Sequence, residues 1–255
     1  MKVTILGCGT SHGVPRIGNV WGRCDPNNPK NRRRRVSILV EEGATRILVD
    51  TSPDLREQLL DAHVDSLDAV LYTHDHADHC HGIDDLRGVF HCMGRPVALH
   101  ADARTLAVLE HRFDYVFKGV LGYPAIARPH VLEVGRPLRI GDIEVQSFWQ
   151  DHGPIQSVGY RFGAIAYSTD LNGIPKASEE YLRDLELWIV DALRTDPHPT
   201  HPHLDMTLEW IARFRPKRAV LTHMAWDLDY ETLKDSLPAG VEPGYDGMTI
   251  EICSN

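Results

Sequence analysis

Residues 74–79 read His74-Asp75-His76-Ala77-Asp78-His79, and this stretch decides the fold of the 255-residue chain. It comes at the end of Ala69–Thr73, an apolar run that predicts a buried strand. Four possible metal ligands therefore lie within six residues at a strand end, where the backbone can turn them toward one point. The i, i+2 spacing of His74 and His76 places both side chains on one face of an extended segment. The Asp and His that follow lie far enough along to serve a second ion.

Later strand ends supply further ligands. His152, Asp170 and His223 each come two to four positions after an apolar run that predicts a strand, which projects them from one edge of a sheet. Nitrogen and oxygen ligands without a thiolate suit two divalent ions, Zn²⁺ or Mn²⁺, better than a structural zinc. Two such ions roughly 3.5–4 Å apart commonly hydrolyse phosphate esters. The predicted set, with Asp170 bridging, is His74, His76 and His152 on one ion and Asp78, His79 and His223 on the other.

The composition excludes several classes of protein. The chain has 27 basic and 36 acidic residues, a net charge of −9, and its 15 histidines are unusually many. This balance disfavours a nucleic-acid or anionic-membrane partner. The five cysteines are odd in number and irregularly spaced, which predicts no disulfide framework. The start of the sequence does not resemble a signal peptide, and no 18-residue apolar stretch occurs, so a cytoplasmic location is expected.

The two halves of the chain have one organisation, in which hairpins are followed by strands alternating with helices. Turn signals predict hairpins at Glu41–Ala44, at Gly141-Asp142 and around Gly163. No linker or low-complexity tract divides the sequence. These patterns predict an α/β protein with a single domain over residues 1–255, built from two mixed sheets with helices outside.

The ordered ligand set resembles the metallo-β-lactamase superfamily over essentially the whole chain. Asp50, which ends the run Ile47–Val49, matches the early Asp of that superfamily. The resemblance implies a four-layer αβ/βα sandwich with a dinuclear site at one edge of the sheets. It also implies that Asp50 supports the ligands from behind. Asp191, at the end of Leu187–Val190, is expected to do the same.

Three further segments resemble one branch of the superfamily, the phosphoribosyl 1,2-cyclic phosphate phosphodiesterases of phosphonate breakdown. These segments are Gly9–Pro15, His201–Asp205 and Gly244–Met248. The resemblance implies that a hydroxide bridged between the two metals attacks the phosphate in line. It implies that His203 donates a proton to the leaving oxygen, although His198 and His201 crowd the same loop. Asp78 counts as both a metal ligand and a catalytic residue.

The chain departs from this branch at a structural zinc site. The founding members carry a cysteine cluster after Trp-Gly, whereas the stretch here keeps only Cys24, which is too few for a tetrahedral site. No separate structural zinc is therefore expected. Two candidates for substrate binding remain open. His12 can line the pocket or bond to its own Gly-rich loop, and Arg35, in the run Arg32–Arg35, can reach a phosphate or lie in a solvated loop.

The leading function is a metal-dependent phosphodiesterase acting on a small, cyclic or nucleotide-like phosphodiester. A tRNA 3′-processing endonuclease of the same fold is an alternative, but the long basic arm of those enzymes is missing. A lactone or thioester hydrolase and an accessory protein of pyrroloquinoline quinone synthesis are further alternatives. A non-enzymatic metal-binding module ranks last because the ligand set is intact. By analogy with the family, a homodimer is expected.

Overall fold

Two seven-stranded β-sheets lie at the centre of the molecule, which a computed structural model describes over residues 1–252. Cys253, one of the five cysteines, lies outside the described residues. In spatial order, the first sheet contains β14 (Thr249–Glu251), β1 (Lys2–Gly7), β2 (Ser37–Glu42), β3 (Thr45–Val49), β4 (Ala69–Leu71), β5 (Val97–Ala101) and β6 (Ala127–Val131). The second contains β13 (Val241–Pro243), β12 (Arg218–Thr222), β11 (Leu187–Asp191), β10 (Ile165–Ser168), β9 (Ile155–Phe162), β8 (Ile143–His152) and β7 (Leu138–Ile140).

Helices connect the strands and cover the sheets. Short 3₁₀ turns occur at Pro29–Asn31, Ile83–Asp85 and Lys176–Leu182. The α-helices are α1 (Leu55–Asp61), α2 (Ala77–Cys80), α3 (Leu86–Met93), α4 (Ala103–Arg112), α5 (Asp114–Lys118), α6 (Leu204–Phe214) and α7 (Tyr230–Ser236). Over residues 1–252, no helix combines the length and apolar character needed to cross a membrane.

The two sheets share one pattern of strand pairing, although the outer antiparallel strand of the first sheet, β14, comes from the other end of the sequence. In each sheet the strands on one side pair antiparallel and those on the other side pair parallel: β3 to β6 in one sheet and β10 to β13 in the other. Parallel strands end at one edge of a sheet and need crossover connections, here with helices. The carboxyl ends of two parallel sets can therefore supply side chains to a single site.

Alternation of side chains along β2 builds two cores. Ile38 and Val40 point to the layer between the sheets, whereas Leu39 points to the helices on the outer face. Period-two alternation places successive side chains on opposite faces of a strand. The layer between the sheets also receives residues from the second sheet, such as Val145 and Phe148. Both faces of the first sheet are thus buried, as the αβ/βα sandwich requires.

The structure confirms the fold expected from the sequence, including the hairpin of β2 and β3 with its turn at Gly43-Ala44. One boundary differs. β8 continues to His152 instead of ending at Phe148, because it pairs with β9 over its last residues, down to His152 opposite Ile155. The segment Phe113–Pro129, whose pattern had no period, contains α5 and the start of β6.

Candidate metal centre

The residues predicted as metal ligands come together at the carboxyl ends of the parallel strands. They form overlapping groups whose ligand atoms all lie within 4.8 Å of one another in each group. Asp170 belongs to every group, as a bridging carboxylate requires. The groups are His74, His76, His152 and Asp170; Asp78, His79, Asp170 and His223; and Asp170, Asp191, His201 and His223.

The first group places three imidazoles around one oxygen of Asp170. Nε2 of His74 lies 3.8 Å from Oδ1 of Asp170, and Nε2 of His152 lies 3.9 Å from the same oxygen. Nδ1 of His76 is 3.3 Å from Nε2 of His152. The carbonyl of Thr200 is 2.8 Å from Nδ1 of His152, which fixes this ring with Nε2 facing the group.

The second group surrounds the other oxygen of Asp170. Nε2 of His79 lies 3.0 Å from Oδ2 of Asp170 and 3.5 Å from Oδ2 of Asp78. Nε2 of His223 lies 3.7 Å from each of these two oxygens. The two oxygens of Asp170 thus face different groups. This geometry fits a carboxylate shared between two cations.

Three residues at the centre have left-handed backbone conformations within two positions of the end of a parallel strand. Asp50 follows β3 with φ 63°, Asp170 follows β10 with φ 54°, and His223 follows β12 with φ 57°. A positive φ is uncommon for a residue other than glycine, although Asp and His adopt it more often than most. Each sharp turn aims a side chain at the cluster, and such local strain is typical of functional sites.

Asp50 and Asp191 lie behind the residues expected to bind metal. Asp50 is fully buried; it accepts hydrogen bonds from the backbone N and Oγ1 of Thr73, both at 2.8 Å, and its Oδ2 lies 2.7 Å from Nδ1 of His79. Asp191 is also buried, and its Oδ2 accepts the backbone N–H of Asp170 at 3.0 Å. Carboxylates of this kind orient metal-binding histidines.

The structure places His201, and not His203, beside the ligand groups. Nδ1 of His201 is 3.0 Å from Oδ2 of Asp191, and its Nε2 is 3.7 Å from Oδ1 of Asp170. Its ring stacks on that of His223 at 4.7 Å. His203 caps the N-terminus of α6, and within residues 1–252 its side chain joins none of the contacts of the cluster. The contact with the Asp191 carboxylate distinguishes His201 from His203, and the spacing of residues in the sequence does not reveal such a contact.

The two predicted substrate-binding residues lie in different environments. His12 is exposed and lines a cavity of about 340 Å³ together with His201. Arg35 lines a separate cavity and forms an ion pair of 3.0 Å with Asp54, so it does not border the cavity beside His201. The expectation of a solvated loop at Arg32–Arg35 fails at Arg33, whose side chain is only 2% exposed.

The buried guanidinium of Arg33 lies next to Cys24. It donates hydrogen bonds to the carbonyls of Ala225 and Leu228 at 2.9 and 2.6 Å, and its Nη1 is 3.8 Å from Sγ of Cys24. Burial is the main cause that raises the pKa of the Cys24 thiol. Arg33 therefore links the N-terminal loop to the loop that follows His223.

The electrostatics of the centre favour positive charge. Burial opposes charge on His79, but the carboxylates of Asp170 and Asp78 raise its pKa well above the ordinary value. His74, with fewer carboxylates nearby, has a pKa lowered by its burial and by the charge of His79. Burial disfavours the charged form of Asp170, yet the imidazoles around it, foremost His223, lower its pKa. The carboxylates stabilise positive charge, which is what a divalent cation provides.

The donor atoms themselves fit a metal. Nε2 of His74, His79 and His223 are buried and form no hydrogen bond within residues 1–252. A buried imidazole nitrogen without a partner is costly, and coordination to a metal satisfies it. The His and Asp clusters therefore fit divalent metal ions, with Asp50 and Asp191 holding the ligands in place.

The chain belongs to the metallo-β-lactamase superfamily, because residues 45–224 match the model described as "Beta-lactamase superfamily domain" and the fold agrees. Fold, family and ligand clusters together identify the domain as a metal-dependent hydrolase. Within the superfamily it is close to the PhnP family. The crystal structure of a new diphosphatase from that family is 37% identical with a TM-score of 0.90, covering 98% of this chain and 97% of the other.

Two other proteins are also similar. A Porphyromonas gingivalis protein named octanoyltransferase is 35% identical over 97% of this chain. The match covers only 51% of that protein, so its name describes a protein about twice as long as the matched segment. The Zn²⁺-bound structure of PqqB from Methylobacterium extorquens has a TM-score of 0.80, covering 99% of this chain and all of that one. At 19% identity, this last likeness shows the fold alone.

Proposed function

We propose that the protein is a dinuclear metal-dependent phosphodiesterase that hydrolyses a small cyclic phosphodiester, such as phosphoribosyl 1,2-cyclic phosphate or a cyclic nucleotide. The observation that carries the proposal is His201, an imidazole held by Asp191 with its Nε2 facing the bridging Asp170. The likeness to a PhnP-family diphosphatase supports chemistry at phosphorus. The net charge of −9 favours a small-molecule substrate over a nucleic acid.

The proposal needs two cations, and two of the ligand groups suit them. His74, His76 and His152 would hold one ion, Asp78, His79 and His223 would hold the other, and Asp170 would be shared. When bound, the pair of divalent ions, zinc or manganese, supplies Lewis-acid activation of the phosphate and of the attacking water.

His201 takes the role of proton donor that the sequence assigned to His203. Ring opening of a cyclic diester breaks a P–O bond and leaves an alkoxide, which needs a proton as it departs. Asp191 contacts Nδ1 of His201, so Nε2 is the nitrogen left to face the substrate. Asp191 thus acts as a positioning residue, as the carboxylates beside catalytic histidines do in other hydrolases.

A diphosphate is a second candidate substrate, because the PhnP-family relative is a diphosphatase. The two substrates differ in the leaving group. A diphosphate expels a phosphate, which is stable as an anion and needs little protonation. An alkyl ester expels a much more basic alkoxide. The proton donor should therefore matter for the ester and have little effect on the diphosphate.

The test is turnover by the metal-loaded protein of phosphoribosyl 1,2-cyclic phosphate, 2′,3′-cyclic nucleotides, a nucleoside diphosphate sugar, a lactone and a pre-tRNA. We expect the cyclic phosphates to be preferred, with kcat reduced roughly 100-fold or more in His201→Ala. His203→Ala, in the same loop, is the matched control and should change kcat little. Preference for the diphosphate without dependence on His201, or cleavage of the lactone or pre-tRNA alone, would overturn the proposal. Sedimentation of the same preparation tests the expected homodimer.

A further inference from the structure

A cavity of about 340 Å³ opens beside the metal centre and reaches it through His201. This volume lies in the range of small-molecule sites, which run from about 300 to 1,000 Å³. Three loops form its walls: the N-terminal loop and the loops after β11 and β12. Among the residues that line it are Thr10, His12, Arg23, Arg194, His201 and Trp226.

Trp226 is the aromatic wall of this cavity, and its neighbours hold it in place. The guanidinium of Arg16 lies 3.7 Å from the ring centroid, and Arg16 does not line the cavity. The ring of His12, which also lines the cavity, meets the indole edge-to-face with the centroids 6.2 Å apart. The backbone of Gly22, with φ 60°, passes so close that a Cβ there would lie 2.2 Å from Cδ1 of Trp226. Arg23 donates its backbone N–H to the carbonyl of Trp226 at 2.8 Å.

Two guanidiniums line the cavity, and they differ in their contacts. Arg194 donates hydrogen bonds to the carbonyls of Asp196 and Pro197 at 3.0 and 2.6 Å. Arg23 is exposed, and its guanidinium forms no ion pair within residues 1–252. The carboxylate of Asp227, in contrast, already accepts hydrogen bonds from the backbone N and Oγ1 of Thr195 at 2.9 and 3.0 Å. The cavity thus offers a fixed aromatic ring and a guanidinium next to the proposed proton donor.

We propose that this cavity binds the nucleobase of a nucleotide substrate, which stacks on Trp226. This inference rests on the proposed function and narrows its substrate class. A flat π-system in a cavity wall binds a planar base by stacking, and an arginine beside it adds to the attraction. Since a chain of net charge −9 disfavours long polyanions, the ligand is a mononucleotide.

The experiment compares two substrates that differ only in the base: adenosine 2′,3′-cyclic phosphate and methyl riboside 2,3-cyclic phosphate. We expect the metal-loaded protein to prefer the adenosine compound in kcat/KM by roughly 10-fold or more, since base stacking commonly contributes that much. Trp226→Leu should bring the ratio of the two toward one, and Trp226→Phe should retain most of it. Trp21→Leu is the matched control, because Trp21 lies in the N-terminal loop two residues before Arg23 but does not line the cavity.

Calorimetric binding of adenosine 3′-monophosphate, a possible product, separates this inference from the proposed function. If neither cyclic phosphate is hydrolysed but the nucleotide binds in a Trp226-dependent way, the proposed function fails and the base site stands. If both compounds are hydrolysed equally well, with the ratio unchanged in Trp226→Leu and Trp226→Phe, the base site is wrong and the phosphodiesterase stands. Melting temperatures and metal contents of all variants identify any that fail to fold. If Trp226→Leu is among them, the ratio of kcat/KM for the two substrates in Trp226→Phe is the deciding measurement.

Discussion

Oδ2 of Asp191 lies 3.0 Å from Nδ1 of His201 and accepts the backbone N–H of Asp170 at the same distance. The same oxygen is 3.6 Å from Nδ1 of His223. One buried carboxylate at the end of β11 therefore contacts the proposed proton donor, a proposed metal ligand and the backbone of the proposed bridging residue. Any change at Asp191 should affect both protonation of the leaving group and metal binding.

We expect Asp191→Asn to weaken metal binding by roughly 10- to 100-fold and to lower kcat on cyclic phosphates, because the amide cannot orient both imidazoles as the carboxylate does. Chelator competition measures the metal affinity, and turnover at saturating metal measures kcat separately. Asp205→Asn, at an exposed position in the first turn of α6, is the control and should behave like the wild type. Equal metal affinity in Asp191→Asn would show that Asp191 does not support the ligands.

Asp50 should contribute to stability as well as to metal binding. Asp50→Ala removes the carboxylate that contacts the backbone N and Oγ1 of Thr73 and Nδ1 of His79. These buried groups then lose their acceptor. Because each buried unsatisfied group costs about 1–3 kcal/mol, we expect the free energy of unfolding to fall by about 3 kcal/mol or more. Urea denaturation with and without metal measures this loss.

The control for Asp50 is Asp61→Ala, which breaks the ion pair of Asp61 with Arg34 at the surface. An exposed pair contributes about 0–1 kcal/mol, so this variant should unfold nearly like the wild type. A loss at Asp50 no larger than the loss at Asp61 would mean that Thr73 and His79 find other partners in the variant.

The sequence predicted the ligands because they follow buried strands, and it missed features that depend on distant contacts. His74, Asp170 and His223 come just after apolar runs, and parallel strands bring their ends to one edge. His201 and His203 lie on one loop, and only the distance to Asp191 separates them. Likewise, the four arginines at 32–35 look alike in sequence. Arg33 is buried because carbonyls of residues 225 and 228, almost 200 positions away, accept its hydrogen bonds.

The metal content should be two ions per chain, with none held by Cys24. We expect Cys24→Ser to bind as much metal as the wild type, because Arg33 lies against the thiol and one cysteine cannot complete a tetrahedral site. Elemental analysis after removal of free metal measures the ratio. Three ions in the wild type and two in Cys24→Ser would contradict the expectation and place a structural zinc at this loop.

Stability should fall in acid because of His100, which lies outside the metal-ligand groups. His100 on β5 and His130 on β6 are register partners, and their rings stack at 4.8 Å. Burial, with a smaller effect from the charge of His130, lowers the pKa of His100 to about 4 in the folded protein. The ordinary value, about 6.5, applies in the unfolded chain. Between pH 4 and 6.5 the unfolded chain therefore binds more protons, and stability rises with pH.

The measurement is urea unfolding of the wild type and His100→Gln from pH 7 to pH 4.5. We expect the wild type to lose about 1–2 kcal/mol more than the variant over this range, after allowance for solvent screening of a partly exposed ring. The difference between the two proteins removes the effect of metal release, which both share. His111→Gln, at an exposed position on α4, is the control and should follow the wild type. A constant difference between wild type and His100→Gln at every pH would show that His100 titrates alike in the folded and unfolded states.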